Sequence, residues 1–355
     1  MKSLRRGKKT INKLSEPYII AEAGVNHEGS LKLAKKLVDL AKKGGANGVK
    51  FQTYKANKLV LKKSPAYWDI RKEKTKNQYD LFKKYDILNK KDYIYLANYC
   101  KKKKIDFLST PFDNEAVDFL NPLVKFYKIA SADINNVPLL RKIGSKRKTV
   151  ILSTGASQIK EIQRSIKILK QAGCNNIIIL HCILNYPTIK TNANLNMIKS
   201  LEKNFKNNII GYSDHTLPDQ NMSVPVSAYL LGAIVIEKHF TFNKKKKGND
   251  HYHSMDIKDL LNLKKNLKEI LLLLGEKKIK EPIKSELKSI KHARRSIVSA
   301  RKIYKNEKFT KENLTFKRPG YGISVIHWDK VLGKKALKNI EENSLILKEH
   351  IKIKI

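Results

Sequence analysis

The chain has 355 residues, 41% of them hydrophobic, and a formal net charge of +42. No apolar run reaches the roughly 18 residues that a membrane-spanning helix needs, and no apolar segment typical of a signal peptide follows the basic N-terminus. We therefore expect a cytoplasmic protein without a membrane partner. The three cysteines are isolated, which excludes a disulfide framework and a zinc site of paired cysteines. Cys182, within an apolar run, is predicted to be a small buried side chain.

The positive charge has two interpretations. A nucleic-acid binder would concentrate its basic residues in one patch and would lose affinity steeply as salt is added. Here the excess is mainly lysine and extends over nearly every segment of the chain. We therefore predict no nucleic-acid partner and interpret the lysines as solvated helix faces, whose field would also attract an anionic substrate.

Short apolar, β-branched runs recur along the chain, and each is followed by a helix-like segment. A Ser at its start and a Gly at its end predict a helix over 30–45, and a second helix, over 157–173, has Ser157 and Glu161 near its start. The predicted strands are 18–24, 48–54, 105–112, 126–131, 149–155, 176–184, 209–215 and 233–240.

Alternation of strands and helices is typical of a parallel sheet built from right-handed βαβ units. Eight such units in about 250 residues match the size of a (β/α)8 barrel, so a TIM barrel is predicted over 1–275. An open doubly wound sheet is the alternative, although no GxGxxG motif follows the first strand. The charged segment 276–291 is predicted to be a linker, and 292–355, with short strands and turns, a small separate domain.

The ends of the predicted strands are unusually polar, and in a barrel these ends carry the catalytic groups. A lone Ser, Lys or His at such a position has an ordinary structural explanation. Charged residues are nevertheless rare inside apolar strands without partners, and Lys50, Lys128 and the pair Glu237–Lys238 are placed in this way. Lys50 and Lys128, with nearby Ser and Thr hydroxyls, predict a site for phosphate and carboxylate groups.

Two pairs of histidines are candidates for a metal site. His251 and His253 form an H-x-H pair in the loop after the eighth strand, which is weak evidence for zinc, and a role in the loop or at the substrate rim is favoured for both. His215 and His239 end neighbouring strands and are the preferred ligands of a divalent metal, with a carboxylate or water completing its shell. Glu22, on the first strand, would face both the metal and the anion site.

Ten spaced segments, covering most of the chain in the expected order, resemble the sialic acid synthase family, which condenses phosphoenolpyruvate with an N-acetylated amino sugar. The segments are AEAGVNHEGSL, GVKFQTYKA, FLSTPFD, YKIASADINN, LSTGAS, LHCILNYPT, GYSDHT, IEKHFT, GNDHYHSMD and KRPGYGIS. The resemblance implies a (β/α)8 barrel followed by a small antifreeze-like (SAF, β-clip-type) domain. It also implies a domain-swapped homodimer, in which the small domain caps the partner's barrel.

The same resemblance implies roles for individual residues. It implies catalytic roles for Glu22, Lys50 and Lys128, of which the lysines neutralise phosphoenolpyruvate and the glutamate acts on the sugar aldehyde or the attacking water. His215 and His239 are implied as ligands of Mn²⁺ or Mg²⁺. The implied substrate-binding residues are Thr110, Ser131, Ser153 and Ser213 for phosphoenolpyruvate, and Asp133, Tyr186, Asp250 and, from the other chain, Arg318 for the sugar.

One position departs from the family pattern, because Glu often stands where this chain has Asp133. A carboxylate shorter by one methylene changes its reach by about an ångström, which bears on the choice of sugar. The opening AEAGVNHEG favours the sialic or legionaminic branch, with N-acetylmannosamine or its diacetamido analogue as acceptor. A synthase that makes pseudaminate or uses a phosphorylated sugar is the alternative. A barrel serving only as a scaffold would lack Glu22 or a metal histidine, and all three are present.

Overall fold

The structure, a computed structural model, describes residues 3–6, 9–248, 250–277 and 279–354. They divide into two compact units, Met1–Gly275 and Glu276–Ile355. The strands are β1 Leu4–Arg6, β2 Lys9–Ile11, β3 Tyr18–Gly24, β4 Gly48–Thr53, β5 Asp106–Pro111, β6 Phe126–Ile129, β7 Thr149–Ser153, β8 Ile177–Cys182, β9 Ile209–Asp214, β10 Val235–His239, β11 Ser296–Ser299 and β12 Leu314–Lys317. The α-helices are α1 Leu31–Lys43, α2 Ala56–Leu59, α3 Gln78–Tyr85, α4 Lys90–Lys103, α5 Asn114–Leu120, α6 Val137–Gly144, α7 Ile159–Gln171, α8 Met197–Asn204, α9 Ser223–Leu230, α10 Ile257–Leu274, α11 Leu287–Ala293 and α12 Trp328–Val331.

Strands β3 to β10 form one eight-stranded sheet in the order β5-β4-β3-β10-β9-β8-β7-β6, and its ladders are parallel. The pairing of β10 with β3 sets His239 beside Glu22. The two outermost strands, β5 and β6, pack side by side, so the sheet is a nearly closed barrel. The predicted (β/α)8 fold is confirmed, and each predicted strand agrees with an observed one to within two residues at either end.

The helices begin and end where the sequence provides caps. Ser30 caps α1 through its hydroxyl, and the helix ends at Gly44. The second predicted helix, α7, starts one residue later than Ser157 suggests, because Gln158 is the cap residue and its N–H donates to Glu161 Oε2 at 2.7 Å. The buried residues of α1, spaced as an amphipathic helix requires, are Ala34, Leu37, Val38 and Ala41. Burial of one such leucine contributes about 2 kcal/mol.

The N-terminal end of the barrel is closed by apolar side chains. They are Tyr18, Ile20, Leu108, Phe126, Ile151, Ile178, Leu180 and Val235. The antiparallel hairpin β1–β2, which the sequence pattern did not predict, adds Leu4 and Ile11 to this layer. The inward-facing polar residues therefore lie toward the opposite, carboxyl end of the strands.

The C-terminal unit has a core of its own, and β11 pairs antiparallel with β12. Its core residues are Ile297, Ile303, Phe309, Leu314, Ile323, Val331, Ala336, Ile340, Ile346 and Ile351. The segment 276–291, predicted to be a linker, contains the first part of α11, so regular structure begins within it. Across the described parts of both units, no helix is long and apolar enough to span a membrane.

Candidate active site

The carboxyl ends of the barrel strands surround a cavity of about 580 Å³. Twelve of the thirteen predicted site residues line it, namely Glu22, Lys50, Thr110, Lys128, Ser131, Asp133, Ser153, Tyr186, Ser213, His215, His239 and Asp250. Successive side chains of a strand point to opposite faces, so Glu22 and Lys50 face the cavity while Ala21 and Val49 face the helices. The thirteenth, Arg318, is exposed in the C-terminal unit, and its role stays a prediction.

Two lysines and two carboxylates form a charged cluster at the floor of the cavity. Lys50 Nζ is ion-paired with Glu22 Oε2 and lies 3.8 Å from Glu237 Oε1. Lys128 Nζ lies 3.5 Å from the same Glu237 oxygen. No member of the cluster is more than 4% exposed. Because a buried charge is stable only when it is paired, the two carboxylates supply the opposite charge that these lysines need.

The pKa values of the cluster diverge. Burial raises the pKa of Glu22, although Lys50 opposes the shift. Burial lowers the pKa of Lys128, and Glu237 offsets this only in part. Burial would lower the pKa of Lys50, but the two carboxylates outweigh this effect and raise it. Burial would raise the pKa of Glu237, but the two lysines outweigh this effect and lower it. Glu22 is therefore the carboxyl group of the cluster whose burial favours the protonated form, as suits a group that exchanges a proton.

Four hydroxyl groups surround the charged cluster. Thr110 Oγ1 and Ser213 Oγ each bond to the cluster, at 3.2 Å and 3.0 Å. Ser131 Oγ accepts a hydrogen bond from the N–H of Gly155 at 2.9 Å. Ser153 Oγ is buried and has no hydrogen-bond partner among the described residues. Together with the lysines, these hydroxyls provide the donors that a phosphate or carboxylate group needs.

Imidazole and carboxylate groups gather beside the charged cluster. His239, Asp250 and His253 each offer one ligand atom, and these atoms lie within 4.8 Å of one another. His215 is adjacent, with its ring centroid 5.4 Å from that of His239. Its Nδ1 lies 2.8 Å from the carbonyl oxygen of Ile183, which leaves Nε2 for a ligand. This donor set, with buried nitrogens that lack hydrogen-bond partners among the described residues, fits a divalent metal ion.

The H-x-H pair lies in the loop after β10, as predicted, but not at the substrate rim, because His251 is 2% exposed and His253 fully buried. His251 contacts Thr241 of the same loop, with Nδ1 2.7 Å from Oγ1, and Glu28 of the loop after β3, with Nε2 3.1 Å from Oε1. Burial lowers the pKa of His253 well below its usual range. The pair therefore separates into one histidine that holds the loop and one that faces the predicted metal ligands.

The rest of the cavity has a mixed polar and apolar wall. The ring of Tyr186 packs against that of His215, with centroids 4.1 Å apart. Asp133 is half-buried and accepts a hydrogen bond from Asn136 Nδ2 at 3.1 Å. The apolar and aromatic lining residues are Leu59, Val60, Tyr67, Leu81, Phe82, Tyr85 and Phe112. Such a wall beside an anion-binding floor suits a second reactant that carries both hydroxyl and acyl groups.

The barrel strands contribute three lining residues that we did not predict as site residues, namely Gln52, Cys182 and Glu237. Glu237 precedes His239 by two positions and Gln52 follows Lys50 by two, so each faces the cavity with its neighbour. The period of two along a strand is the signal that would have identified them. Cys182 is buried, as predicted, and it also lines the cavity.

Comparison with known proteins identifies the family. The NeuB family model matches residues 37–279, and the SAF domain model matches 294–352. N,N'-diacetyllegionaminic acid synthase of Campylobacter jejuni is 42% identical over 339 residues, which cover 94% of this chain and 99% of that protein. The protein of the same name from Legionella pneumophila is 38% identical over 341 residues, 94% of each chain.

Solved structures agree with this assignment. The structure of N-acetylneuraminic acid (sialic acid) synthetase from Leptospira borgpetersenii, in complex with citrate, has a TM-score of 0.71 and 34% identity, and the match covers 81% of this chain and 95% of that one. The predicted resemblance is confirmed over both units. The chain belongs to the NeuB family of sialic-type (nonulosonic) acid synthases, and its C-terminal part is a SAF domain.

Proposed function

We propose that this enzyme condenses phosphoenolpyruvate with an N-acetylated amino sugar, releasing phosphate and a nonulosonic acid. The observation that carries the proposal is the pair of buried lysines, Lys50 and Lys128, set with four hydroxyls beside a histidine and carboxylate cluster in one cavity. The first group suits the phosphate and carboxylate of phosphoenolpyruvate. The second suits a polarised sugar carbonyl. Both reactants of the condensation therefore have a chemically matched position.

The reaction consumes one water molecule and breaks the C2–O bond of phosphoenolpyruvate. C3 of phosphoenolpyruvate attacks the aldehyde carbon of the open-chain sugar, positive charge develops at C2, and water adds there. The adduct then expels phosphate with its oxygen. Lys50 and Lys128 neutralise the anionic groups during this sequence, and the cavity holds the two carbon atoms in position for attack.

Glu22 is proposed to take the proton of the water that adds at C2. Its ion pair with Lys50 sets it beside the proposed phosphoenolpyruvate site. Gln52 Nε2 donates a hydrogen bond to the second carboxylate oxygen, Glu22 Oε1, at 3.3 Å, and thereby orients the carboxylate. Because burial raises the pKa of Glu22, this carboxylate is a stronger base than an exposed one, as suits a general base.

A divalent metal, Mn²⁺ or Mg²⁺, is proposed to be held by His215 and His239, with Asp250 near them. When bound, the metal would supply Lewis acidity toward the aldehyde oxygen. Asp250, Tyr186 and Asp133, which all line the cavity, are proposed to bind the sugar. The relatives named for legionaminic acid favour the diacetamido sugar over N-acetylmannosamine. A pseudaminate-type or phosphorylated acceptor is the alternative.

The assembly and location are also proposals. The family resemblance supports a domain-swapped homodimer in the cytoplasm, in which Arg318 of one chain reaches the sugar bound by the other. Arg318 is exposed and precedes Pro319 in a Pro-Gly-containing turn, so its side chain is accessible for such a contact. No nucleic-acid or membrane partner is proposed.

A phosphate-release assay tests the function. Purified protein with Mn²⁺ and phosphoenolpyruvate is given N-acetylmannosamine, its diacetamido analogue or a phosphorylated N-acetylmannosamine, and the products are identified by mass spectrometry. We expect phosphate release only with a sugar, the fastest turnover with the diacetamido sugar, and loss of turnover on adding EDTA. Lys50→Met is the control that retains the metal ligands and should be inactive. Release of phosphate in the absence of any sugar would rule out the synthase function.

A further inference from the structure

His253 has no role in the reaction outlined above, although it is the most deeply buried histidine around the cavity, with 0% exposure. Neither of its ring nitrogens has a hydrogen-bond partner within the part of the chain that the structure describes. The nearest acidic atom is Asp250 Oδ1, 4.0 Å from Nε2. A buried polar group without a partner costs free energy, so a side chain placed in this way calls for a ligand.

Other buried histidines of this chain are satisfied by protein atoms. His27 Nδ1 accepts from the N–H of Gly29 at 3.0 Å, and His181 Nε2 lies 2.8 Å from the carbonyl oxygen of Ala193. His251, two positions before His253 in the same loop, has Nδ1 2.7 Å from Thr241 Oγ1 and Nε2 3.1 Å from a carboxylate oxygen of Glu28. The fold therefore provides partners for imidazoles that serve only the structure, and His253 differs from them.

The surroundings of His253 are those of a metal ligand. Its ring centroid lies 5.0 Å from that of His239, whose Nδ1 lies 3.4 Å from Asp250 Oδ2. Two imidazoles on one ion, with metal–nitrogen bonds of about 2.1 Å, have centroids about 5 Å apart. The separation of His215 from His239, 5.4 Å, is similar. Ligand atoms of His239, His253 and Asp250 lie within 4.8 Å of one another, close enough to converge on a single ion.

We propose that His253 is a metal ligand, which adds a third imidazole to His215 and His239 and selects a transition metal over Mg²⁺ at this site. The inference deepens the proposed function, because it concerns the metal of the same cavity. Imidazole nitrogen suits Fe²⁺, Ni²⁺, Cu²⁺ and Zn²⁺, and Mn²⁺ is the weakest binder of the transition-metal series, whereas Mg²⁺ demands oxygen ligands and retains its water. Each added imidazole therefore raises the affinity for a transition metal more than the affinity for Mg²⁺.

Metal binding to the full-length protein, stripped of metal with EDTA, tests the proposal without any substrate. Mn²⁺ affinity is measured by calorimetric titration, Mg²⁺ affinity by competition, and bound imidazole nitrogens are counted by pulsed electron paramagnetic resonance of Mn²⁺. Loss even of a side chain that only orients a ligand costs roughly 10–100-fold in metal affinity. In His253→Ala we expect Mn²⁺ to bind at least about tenfold more weakly, with one fewer bound nitrogen and a smaller change for Mg²⁺.

Two further variants keep the result interpretable. His253→Gln fills most of the space of the ring and should also lose one bound nitrogen. The control, His292→Ala, removes an exposed histidine of the C-terminal unit and should bind Mn²⁺ as the unmodified protein does. Unchanged Mn²⁺ affinity and nitrogen count in His253→Ala would overturn the proposal. Equal weakening of Mn²⁺ and Mg²⁺ would also overturn it, because a collapsed loop loses both ions alike. Since no turnover is measured, failure of the phosphate-release assay leaves this result intact.

Discussion

Lys50 and Lys128 share one cavity floor but have different electrostatic surroundings. Lys50 contacts Glu22 and lies 3.8 Å from Glu237, whereas Lys128 lies 3.5 Å from Glu237. The carboxylates raise the pKa of Lys50 over the opposing effect of burial, but burial dominates for Lys128 and lowers its pKa. As pH rises, Lys128 should therefore lose its positive charge first.

This difference predicts the alkaline limit of the reaction. The protonated form of Lys128 binds the anionic substrate, so kcat/KM for phosphoenolpyruvate should fall as pH rises through its lowered pKa, below the ordinary value of 10.5. Arginine keeps its charge throughout this range, with a pKa above about 12. We expect Lys128→Arg to remove the alkaline fall, whatever its activity at neutral pH. Steady-state kinetics from about pH 7 to 10 measure this. An identical alkaline fall in the variant would exclude Lys128 as its source.

Most site residues on strands could be predicted from the residue pattern alone, whereas those on loops, such as Tyr186 and Asp250, were predicted only through the family resemblance. A charged residue inside an apolar run needs a buried partner, and Lys128 finds it among the inward-facing residues at the mouth of the barrel, whereas Lys238 finds it in Asp214 on the outer face. His253 gave no comparable signal, since the path of its loop depends on tertiary contacts. Asn26 Nδ2, for example, donates to Ser254 Oγ at 3.0 Å, and the partners are far apart in sequence.

At the scale of elements, a buried ion pair joins β9 to β10 on the outer face of the barrel. Lys238 and Asp214 are register partners, with Nζ and Oδ2 2.8 Å apart, and both are at most 1% exposed. Asp214 Oδ1 also accepts from the backbone N–H of Thr216 at 2.9 Å. His239 and His215 follow these two residues directly. The pair therefore fixes the strand ends from which two of the proposed metal ligands project.

Breaking this ion pair should destabilise the barrel strongly. Removal of one partner of a buried pair leaves the other charge uncompensated and costs about 3–5 kcal/mol. We expect Lys238→Met and Asp214→Asn each to lower the free energy of unfolding by about this amount, and the double variant to lose clearly less than the sum of the two. Urea unfolding followed by circular dichroism measures the coupling.

An exposed pair serves as the matched control for this double-mutant cycle. Lys58 and Glu115 are ion-paired, but their side chains are 39% and 73% exposed. Lys58→Met should therefore change the free energy of unfolding by less than about 1 kcal/mol. If the effects of Lys238→Met and Asp214→Asn simply add, the two charges do not stabilise each other. The ion pair between β9 and β10 would then contribute nothing to the free energy of unfolding.

The elements themselves were predictable where one period dominates. The eight barrel strands follow from continuous apolar runs, which a sheet covered on its outer face requires. The hairpin β1–β2 could not be predicted, because three-residue strands are too short to show a period. Its apolar residues, Leu4 and Ile11, pack against the end of the barrel, and the sequence alone does not indicate this contact. The start of α11 within the predicted linker was likewise not predicted, because charged residues dominate this segment and no apolar stripe marks a helix.

At the scale of the whole molecule, the cavity and the predicted Arg318 belong to different units. All residues that line the cavity come from Met1–Gly275, whereas Arg318 lies in Glu276–Ile355. If Arg318 binds the sugar, the SAF domain that supplies it belongs either to the same chain or to a partner. A domain-swapped homodimer requires the second arrangement.

Complementation between two inactive variants distinguishes these arrangements. Lys50→Met removes a proposed catalytic lysine from the barrel and retains Arg318. Arg318→Ala removes the proposed sugar ligand from the SAF domain and retains Lys50. In a swapped dimer, co-expression of the two should restore activity at about one quarter of all sites, because each mixed dimer, half of the total, contains one intact site. Co-expression of either variant with the double variant Lys50→Met/Arg318→Ala restores no site and is the control. If Arg318 instead serves its own barrel, every mixed dimer lacks an intact site, and the co-expressed pair stays as inactive as its members.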